Sequence, residues 1–362
     1  MKHLVFSDGH VGDYAEGWID PDTKLNTRLL DTLAVWDWVR ELAIAEKVDA
    51  VVFVGDRFRS RRPPYWMRDL ADEKVQAISQ AGIEQYLLVG NHDQYDKAGT
   101  WNSFNGLRIH AKNAPIHVID RPTLYPLSSF GTMMFVPFGF TDEVLFDPPR
   151  ESGRRTNVLF FHDDVAGVSN YGAFRAKGGI PKSYIDKPEW SLILVGHVHM
   201  RQDLGLEATQ GFHVGSPLER VEDGPQGPKG ALLIEYTENG TKGEFVESPF
   251  PCILRHEFDI GDSTQCDLSN LQDVAGNVIV ATIYHTGQAD GRLRRDVLER
   301  LREMGARSAK VQLELKPRVD RNVTVSNVNT KLPLDAQIVE WARHQTDDED
   351  VVEKLSSITQ PE

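Results

Sequence analysis

The sequence predicts an α/β protein in which two sheets pack together and a small α+β unit follows. Short apolar runs alternate with helical patterns over the first 90 residues, and each run ends in polar residues. Beyond residue 115 the runs become shorter and are separated by proline and glycine. Strands that alternate with helices are typical of a parallel sheet, and a series of short strands is typical of a second sheet packed on it.

Three apolar runs near the start of the chain are predicted to be strands. They and the residues that follow them are 2–7 before Asp8, 50–54 before Gly55-Asp56, and 85–89 before Gly90-Asn91-His92-Asp93. Asn26 can cap a helix between the first two strands, because its side-chain oxygen can accept hydrogen bonds from the first helical turn. A second helix is expected near residues 68–81. Since parallel strands end at the same edge of a sheet, the polar residues behind them are expected to meet there.

Seven shorter strands are predicted in the next part of the chain. They cover residues 116–119, 132–137, 157–161, 191–195, 212–215, 231–236 and 243–247. Two of them lead into histidines: His162 follows one apolar run, and His197 and His199 follow another. We interpret the neighbouring Asp163 and Asp164 as loop residues rather than metal ligands.

Three regions are predicted along the chain. Residues 1–250 are expected to form the large domain, 251–325 a small α+β capping domain and 326–362 a helical, acidic tail. Proline and glycine mark residues 249–261 as the connection. The small unit is expected to contain a strand, a helix and a strand, near residues 277–284, 290–304 and 309–315.

Composition and charge exclude several classes of protein. The 362 residues are 40% hydrophobic and 26% charged, which excludes a disordered chain. With 40 basic and 54 acidic side chains, the net charge of −14 argues against coating of nucleic acid by bulk positive charge. We find no membrane span and no secretory signal, and the two cysteines cannot form a disulfide framework. We therefore expect a cytoplasmic protein without membrane attachment.

One basic segment interrupts this acidic balance. Residues 57–68, RFRSRRPPYWMR, contain five arginines and no acidic side chain. Arginine recognises phosphate through paired hydrogen bonds, and aromatic rings stack on bases. We expect the segment to line a substrate channel, with DNA contacts from Arg57, Arg59, Arg61, Arg62, Tyr65 and Trp66. The alternative is a solvated loop whose arginines pair with acidic side chains.

A set of potential metal ligands follows the predicted strands. The set comprises two carboxylates, four histidines and one amide: Asp8, His10, Asp56, Asn91, His162, His197 and His199. Carboxylate, imidazole and amide oxygen suit a divalent first-row metal, and the absence of thiolate argues against a structural zinc site. Seven ligands are too many for one ion and suit two metals that share a bridging carboxylate.

The order of these motifs resembles that of the calcineurin-like metallophosphoesterases. The motifs are Asp8-Gly-His10, Gly55-Asp56, Gly90-Asn91-His92-Asp93, a lone His162 and Gly196-His197-Val198-His199. Within that superfamily the chain is similar to the nuclease subunits of SbcCD complexes, including the later segment HVGSPLER. The resemblance covers residues 1–250 and implies a four-layer α/β/β/α sandwich.

The resemblance also implies a role for each ligand. Asp8, His10 and His199 would hold one metal, and Asn91, His162 and His197 the other. Asp56 would bridge the two ions, which are expected to be Mn(II). His92 would be the catalytic imidazole at the leaving oxygen, with Asp93 to orient it.

The resemblance further implies a DNA phosphodiesterase of repair or recombination, acting as an exonuclease and on some substrates as an endonuclease. It implies a homodimer and an SbcC-like coiled-coil ATPase subunit, with the tail as the docking segment. Arg59 stands where the nuclease subfamily often has a histidine, which leaves the positioning of the DNA end open. Two alternatives remain: a free-standing phosphoesterase for small nucleotides, and a non-catalytic scaffold.

Overall fold

The computed structural model describes residues 1–96, 101–110, 114–141, 146–148, 156–171, 174–175, 178–224, 227–287 and 291–316. Five α-helices lie within these residues: α1 (Thr27–Ala45), α2 (Tyr65–Gln80), α3 (Leu107–His110), α4 (Lys182–Ile185) and α5 (Gly291–Glu303). The strands of the large domain are β1 (Lys2–Phe6), β2 (Ala50–Phe53), β3 (Glu84–Leu88), β4 (Ile116–Ile119), β5 (Thr123–Leu127), β6 (Gly131–Val136), β7 (Thr156–His162), β8 (Ser169–Tyr171), β9 (Phe174–Arg175), β10 (Leu192–Gly196), β11 (Gln202–Asp203), β12 (Gly211–His213), β13 (Gly230–Thr237) and β14 (Gly240–Glu247). The strands of the small domain are β15 (Ile253–Gly261), β16 (Val278–His285) and β17 (Ser308–Leu315).

The first sheet has six strands in the order β14-β13-β1-β2-β3-β4. Strands β1 to β4 run parallel, and β13 and β14 continue the sheet as an antiparallel pair. Helix α1 begins as predicted, because the Asn26 side chain accepts hydrogen bonds from Arg28 and Leu29 backbone N–H groups. Its buried apolar stripe, which includes Leu33 and Trp36, packs with α2 on the outer face of this sheet.

The second sheet also has six strands, in the order β11-β12-β10-β7-β6-β5. Its inner face packs against the first sheet, where Tyr86 of β3 and Phe135 of β6 stack with ring centroids 5.5 Å apart. On its outer face, the described residues that cover the sheet come from α4 and from loops that carry Phe146 and Val165. The mixed α/β class with two packed sheets is confirmed.

The small domain is a parallel three-stranded sheet, β15-β16-β17, with α5 packed on one face. The predicted connection over residues 249–261 is wrong for most of its length, because Ile253–Gly261 form β15. Its pairing with β16 satisfies the backbone groups that a loop would leave to water. Proline residues before β15 and the glycine at its end are typical of a connection, so the sequence pattern does not predict this strand.

The small domain contacts the large one through an ion pair and through packing of a tryptophan. Arg307 makes an ion pair of 2.8 Å with Asp31, which is itself buried on α1. Trp18 packs against the core of the small domain, and the Arg302 guanidinium lies 5.6 Å from its ring centroid. The predicted tail, residues 326–362, lies outside the described residues. No helix in the described ranges is both long and apolar enough to cross a bilayer.

Candidate metal centre

The predicted ligands lie where the central strands of both sheets end. Asp8, Asp56 and Asn91 follow β1, β2 and β3 of the first sheet. His162 is the last residue of β7, and His197 follows β10 of the second sheet. Both sheets place these strand ends on the same side. His10 and His199, which are 189 positions apart in the chain, therefore lie next to each other.

Four of these ligands adopt a backbone conformation that non-glycine residues rarely occupy. The φ angles are 56° for Asp8, 41° for His10, 62° for Asp56 and 91° for His197. Residues in this region are strained, and such strain is concentrated at functional sites. Hydrogen bonds between the loops hold the conformation, including that from the His10 N–H to the Asp56 carbonyl, 3.0 Å long.

Two glycines allow the ligand loops to approach each other. A Cβ on Gly55 would overlap the His162 ring, and a Cβ on Gly90 would overlap the Asp56 carboxylate. Gly55 also has a positive φ of 96°, which glycine adopts at little cost. The glycines of the Gly-Asp and Gly-Asn-His-Asp motifs are thus needed for the side chains to converge.

The first cluster consists of Asp8, His10 and His199, which are all buried. His10 Nε2 lies 3.0 Å from His199 Nε2 and 3.7 Å from an Asp8 oxygen. His199 Nε2 lies 3.7 Å from the same oxygen. Three donor atoms within 4.8 Å of one another can surround a single metal ion.

The second cluster consists of Asp56, His162 and His197. Asn91 joins them, since its Oδ1 lies 3.1 Å from His162 Nε2 and 3.0 Å from His197 Nδ1. The Asn91 amide thus points at both ring nitrogens, and its oxygen is available to a cation bound among them.

Asp56 lies between the two clusters. One of its oxygens is 3.6 Å from His10 Nε2, and the other is 3.4 Å from His162 Nε2. A carboxylate whose two oxygens face different clusters can bridge two ions. The side chains therefore fit the binuclear site that the sequence predicts.

The ionisation of the side chains in the centre also favours binding of a cation. Burial opposes ionisation of Asp8 and Asp56, but contacts to His10 and His162 respectively hold the pKa of each carboxyl below its ordinary value. Burial would lower the pKa of His162, but the Asp56 carboxylate raises it to about 10, so a bound cation would displace a proton from this ring. Burial and the Arg220 charge lower the pKa of His10 to about 3, which leaves it neutral and able to bind metal.

Hydrogen bonds on the outer nitrogens fix which ring atom faces the centre. His162 Nδ1 lies 2.6 Å from the Val54 carbonyl, so Nε2 faces the second cluster. His197 is turned the other way: Nδ1 faces Asn91, and Nε2 lies 3.7 Å from Asp164. Such outer partners set the tautomer and orientation of metal-binding histidines.

His92 lies at the edge of the centre, but Asp93 does not orient it. His92 Nδ1 lies 2.7 Å from the Arg59 carbonyl, which therefore accepts its proton and leaves Nε2 for a substrate. The Asp93 carboxylate instead accepts from the Gly90 and Asp56 N–H groups, each at 2.9 Å. Asp93 thus joins the two ligand loops, and the role predicted for it is corrected.

The DNA contact predicted for Arg57 is also wrong. Its side chain is fully buried, 2.5 Å from Asp72, with its guanidinium 4.8 Å from the Phe58 ring centroid. A buried arginine cannot contact DNA, so Arg57 belongs to the core beneath the site. The composition of the segment could not distinguish this arginine from its exposed neighbours.

The other predicted DNA contacts in the basic segment are accessible. Arg61, Arg62, Tyr65 and Trp66 are exposed, and Tyr65 is 81% exposed. Arg59 is half-buried in the wall of a cavity of ≈ 290 Å³ that also contains Asp56, His92 and His197. This cavity is the route to the centre.

Sequence reasoning missed four residues around this cavity. Asp164, Arg220 and Glu222 line it, and Asp223 lies behind His199. The sequence pattern predicts only a loop residue at Asp164. Arg220 is the last residue of the segment HVGSPLER, which is the one signal for it. Nothing in the spacing of Asp223 marks it as a neighbour of a histidine 24 residues away.

Comparison with known proteins supports the same chemistry. A model of the calcineurin-like phosphoesterase family matches residues 1–201. The SbcD subunit of nuclease SbcCD from Bacillus subtilis (strain 168) is 29% identical over 153 residues, which cover 41% of this chain and 37% of that protein. The DNA double-strand break repair protein Mre11 of Sulfurisphaera tokodaii is 24% identical over 247 residues, which cover 65% of this chain and 59% of that protein.

One solved structure aligns with part of this chain. A dimetal phosphatase from Danio rerio is 12% identical with a TM-score of 0.41, over 68% of this chain and 96% of its own. The aligned region spans only 37% and 59% of the length of the two curated relatives.

The burial of Arg57 predicts an effect on stability. Replacement by alanine removes the partner of Asp72 and leaves a gap in the core, so we expect Arg57→Ala to lower the free energy of unfolding by about 3 kcal/mol. Urea denaturation measures this, with the exposed Arg61→Ala as the control, expected within about 0.5 kcal/mol of the original chain. Equal stability of the two variants would contradict the assignment of Arg57 to the core.

The two clusters predict stabilisation by divalent metal. Ions that bind only the folded chain stabilise it by about 2.7 kcal/mol at one hundred times the dissociation constant. We expect Mn(II) to raise the melting temperature of the original chain and of the exposed-site control Asp267→Asn. Asp56→Asn loses the bridging charge, so its shift should be much smaller. A shift of the same size in Asp56→Asn would argue against this site.

Proposed function

The chain belongs to the calcineurin-like phosphoesterase family, and we propose that it is a two-metal DNA phosphodiesterase that acts from DNA ends. We further propose that it cleaves some hairpins or single strands as an endonuclease. The observation that carries the proposal is the position of Asp56, with one oxygen 3.6 Å from His10 and the other 3.4 Å from His162. This carboxylate lies in an open cavity beside His92.

We propose a separate ligand set for each ion. Asp8, His10 and His199 would hold one divalent cation and Asn91, His162 and His197 the other, with Asp56 shared. When bound, a pair of such cations activates water and stabilises charge on the phosphoryl oxygens. We propose Mn(II), because carboxylate, imidazole and amide oxygen together match its ligand preferences.

His92 is proposed to act on the leaving oxygen. Its Nδ1 is held by the Arg59 carbonyl, so Nε2 is the atom that can hold and release a proton in the cavity. The His10 and His92 rings meet edge to face, 5.1 Å apart, which places His92 next to the first cluster. Asp93 accepts hydrogen bonds from the loops after β2 and β3, and this holds the loop that carries His92 in place.

The exposed part of the basic segment is the proposed DNA contact. Arg61 and Arg62 would pair with backbone phosphates, and Tyr65 and Trp66 would pack on a sugar or an unpaired base. Arg59 pairs with Glu222 at 3.4 Å on the cavity wall, next to the reacting phosphate in this proposal. The two relatives, a nuclease subunit and a double-strand break repair protein, agree with a DNA substrate.

The proposed partners follow from the resemblance of the motifs to those of SbcCD nuclease subunits. We propose a homodimer that works in the cytoplasm with an SbcC-like coiled-coil ATPase, in DNA repair or recombination. The sequence contains no phosphate-binding GxxxxGK[ST] loop, so an ATP requirement would come from another chain. Residues 326–362 would supply the docking segment.

A small phosphoester is the second candidate substrate. The cavity of ≈ 290 Å³ is large enough for a nucleotide-sized ester, and its lining includes Arg59 but not the exposed residues Arg61, Arg62, Tyr65 and Trp66. A free-standing phosphoesterase would therefore use the same two clusters.

The active-site assignment predicts a loss of DNA cleavage. In Mn(II), we expect Asp8→Ala, Asn91→Ala and His92→Ala each to slow hydrolysis of linear duplex DNA at least 100-fold, the size typical of a lost acid–base group. Asp267→Asn should cleave at the original rate. Unchanged cleavage by the three variants would exclude this centre. Hydrolysis of bis-nitrophenyl phosphate without any turnover of DNA would favour the second candidate.

The basic segment predicts a change in substrate preference. Each lost phosphate contact lowers the slope of log affinity against log salt by about 0.9. We expect the Arg61→Ala, Arg62→Ala double variant to lower the ratio of DNA turnover to turnover of the small ester, with a flatter salt dependence. Lys47→Ala, an exposed substitution on the turn after α1, serves as the control. An unchanged ratio and slope would remove the segment from the DNA contact.

A further inference from the structure

The outer side of His199 is enclosed by an ion pair that does not belong to either ligand cluster. Asp223 Oδ2 lies 2.8 Å from His199 Nδ1. Arg220 donates to both Asp223 oxygens, at 3.0 Å from Nε and 2.9 Å from Nη2. All three side chains are buried.

The chemistry of these groups fixes the tautomer of His199. Arg220 only donates hydrogen bonds, and an ionised Asp223 only accepts them. Of the two groups beside His199 Nδ1, only the Asp223 carboxylate can accept its proton, so the 2.8 Å contact is satisfied by the tautomer with the proton on Nδ1. Nε2 then presents its lone pair in the first cluster, 3.0 Å from His10 Nε2. Arg220 Nη2 also contacts both ring nitrogens, at 3.0 Å from Nε2.

The backbone that carries this ion pair is anchored on both sides. Glu219 lies 3.1 Å from Arg255 and accepts from the Ile253 N–H at 3.1 Å, both on β15 of the small domain. The Glu219 carbonyl accepts from Arg28 on α1 at 2.6 Å. An anchored segment can hold a ring orientation more closely than a loose loop.

We propose that Asp223 and Arg220 are positioning residues that present Nε2 of His199 to the metal of the first cluster. The proposal rests on the metal-binding part of the proposed function and is independent of the substrate. Removal of outer partners of metal-binding histidines costs about 10–100-fold in metal affinity. Arg220 orients the Asp223 carboxylate with two hydrogen bonds, and its Nη2 also contacts both ring nitrogens of His199.

Manganese titration of the full chain tests this proposal, with free Mn(II) followed by its electron paramagnetic resonance. We expect Asp223→Ala to weaken one of the two binding steps by about 10–100-fold. Asp223→Asn should lose less, because its amide oxygen still accepts from His199 Nδ1. Asp267→Asn, which changes an exposed carboxylate of the small domain, should bind as the original chain does.

A double-mutant cycle separates positioning from a general effect on folding. In a His199→Ala background there is no ring to orient, so Asp223→Asn should produce no further loss of manganese affinity. An equal loss in both backgrounds, or an affinity of Asp223→Ala within twofold of the original chain, would overturn the proposal. An original chain that takes up no manganese would overturn the proposed function and this proposal together.

Discussion

Two buried carboxylates impose the constraint on which the site depends. Asp8 and Asp56 are almost without exposure and remain ionised, yet the groups nearest to them are histidines rather than lysine or arginine. Buried negative charge is costly unless a positive charge faces it. Two divalent cations would supply that charge, and the loops, the glycines and the strained backbone bring the seven predicted ligands to the place where the cations would bind.

The two-sheet fold explains why such distant residues can meet. Each sheet brings the carboxyl ends of its central parallel strands to the same side, and packing of Tyr86 from the first sheet on Phe135 from the second holds one sheet against the other. The ligand loops are then joined directly through Asp93, which accepts hydrogen bonds from the loops after β2 and β3. The small domain contributes at a distance, because β15 anchors the segment that carries Arg220 and Asp223.

The strand ends and their ligands could be predicted because each apolar run is short and ends at a polar residue, as at Asp8 and His162. Asn26 was identifiable for a similar reason, since a cap acts within three residues along the chain. Side-chain direction was not predictable: Arg57 and Arg61 share one basic segment, yet only Arg57 turns into the core. The contacts of Asp93 and Asp223 depend on loops that meet only in the folded chain, so no local pattern reveals them.

The central claim is that two metals share Asp56, and anomalous diffraction from crystals grown with Mn(II) tests it most directly. The account predicts two manganese peaks per chain, about 3.5–4 Å apart, on either side of the Asp56 carboxylate. One peak should contact His10 and His199, and the other His162 and His197. A single peak, or two peaks that do not share Asp56, would contradict the account.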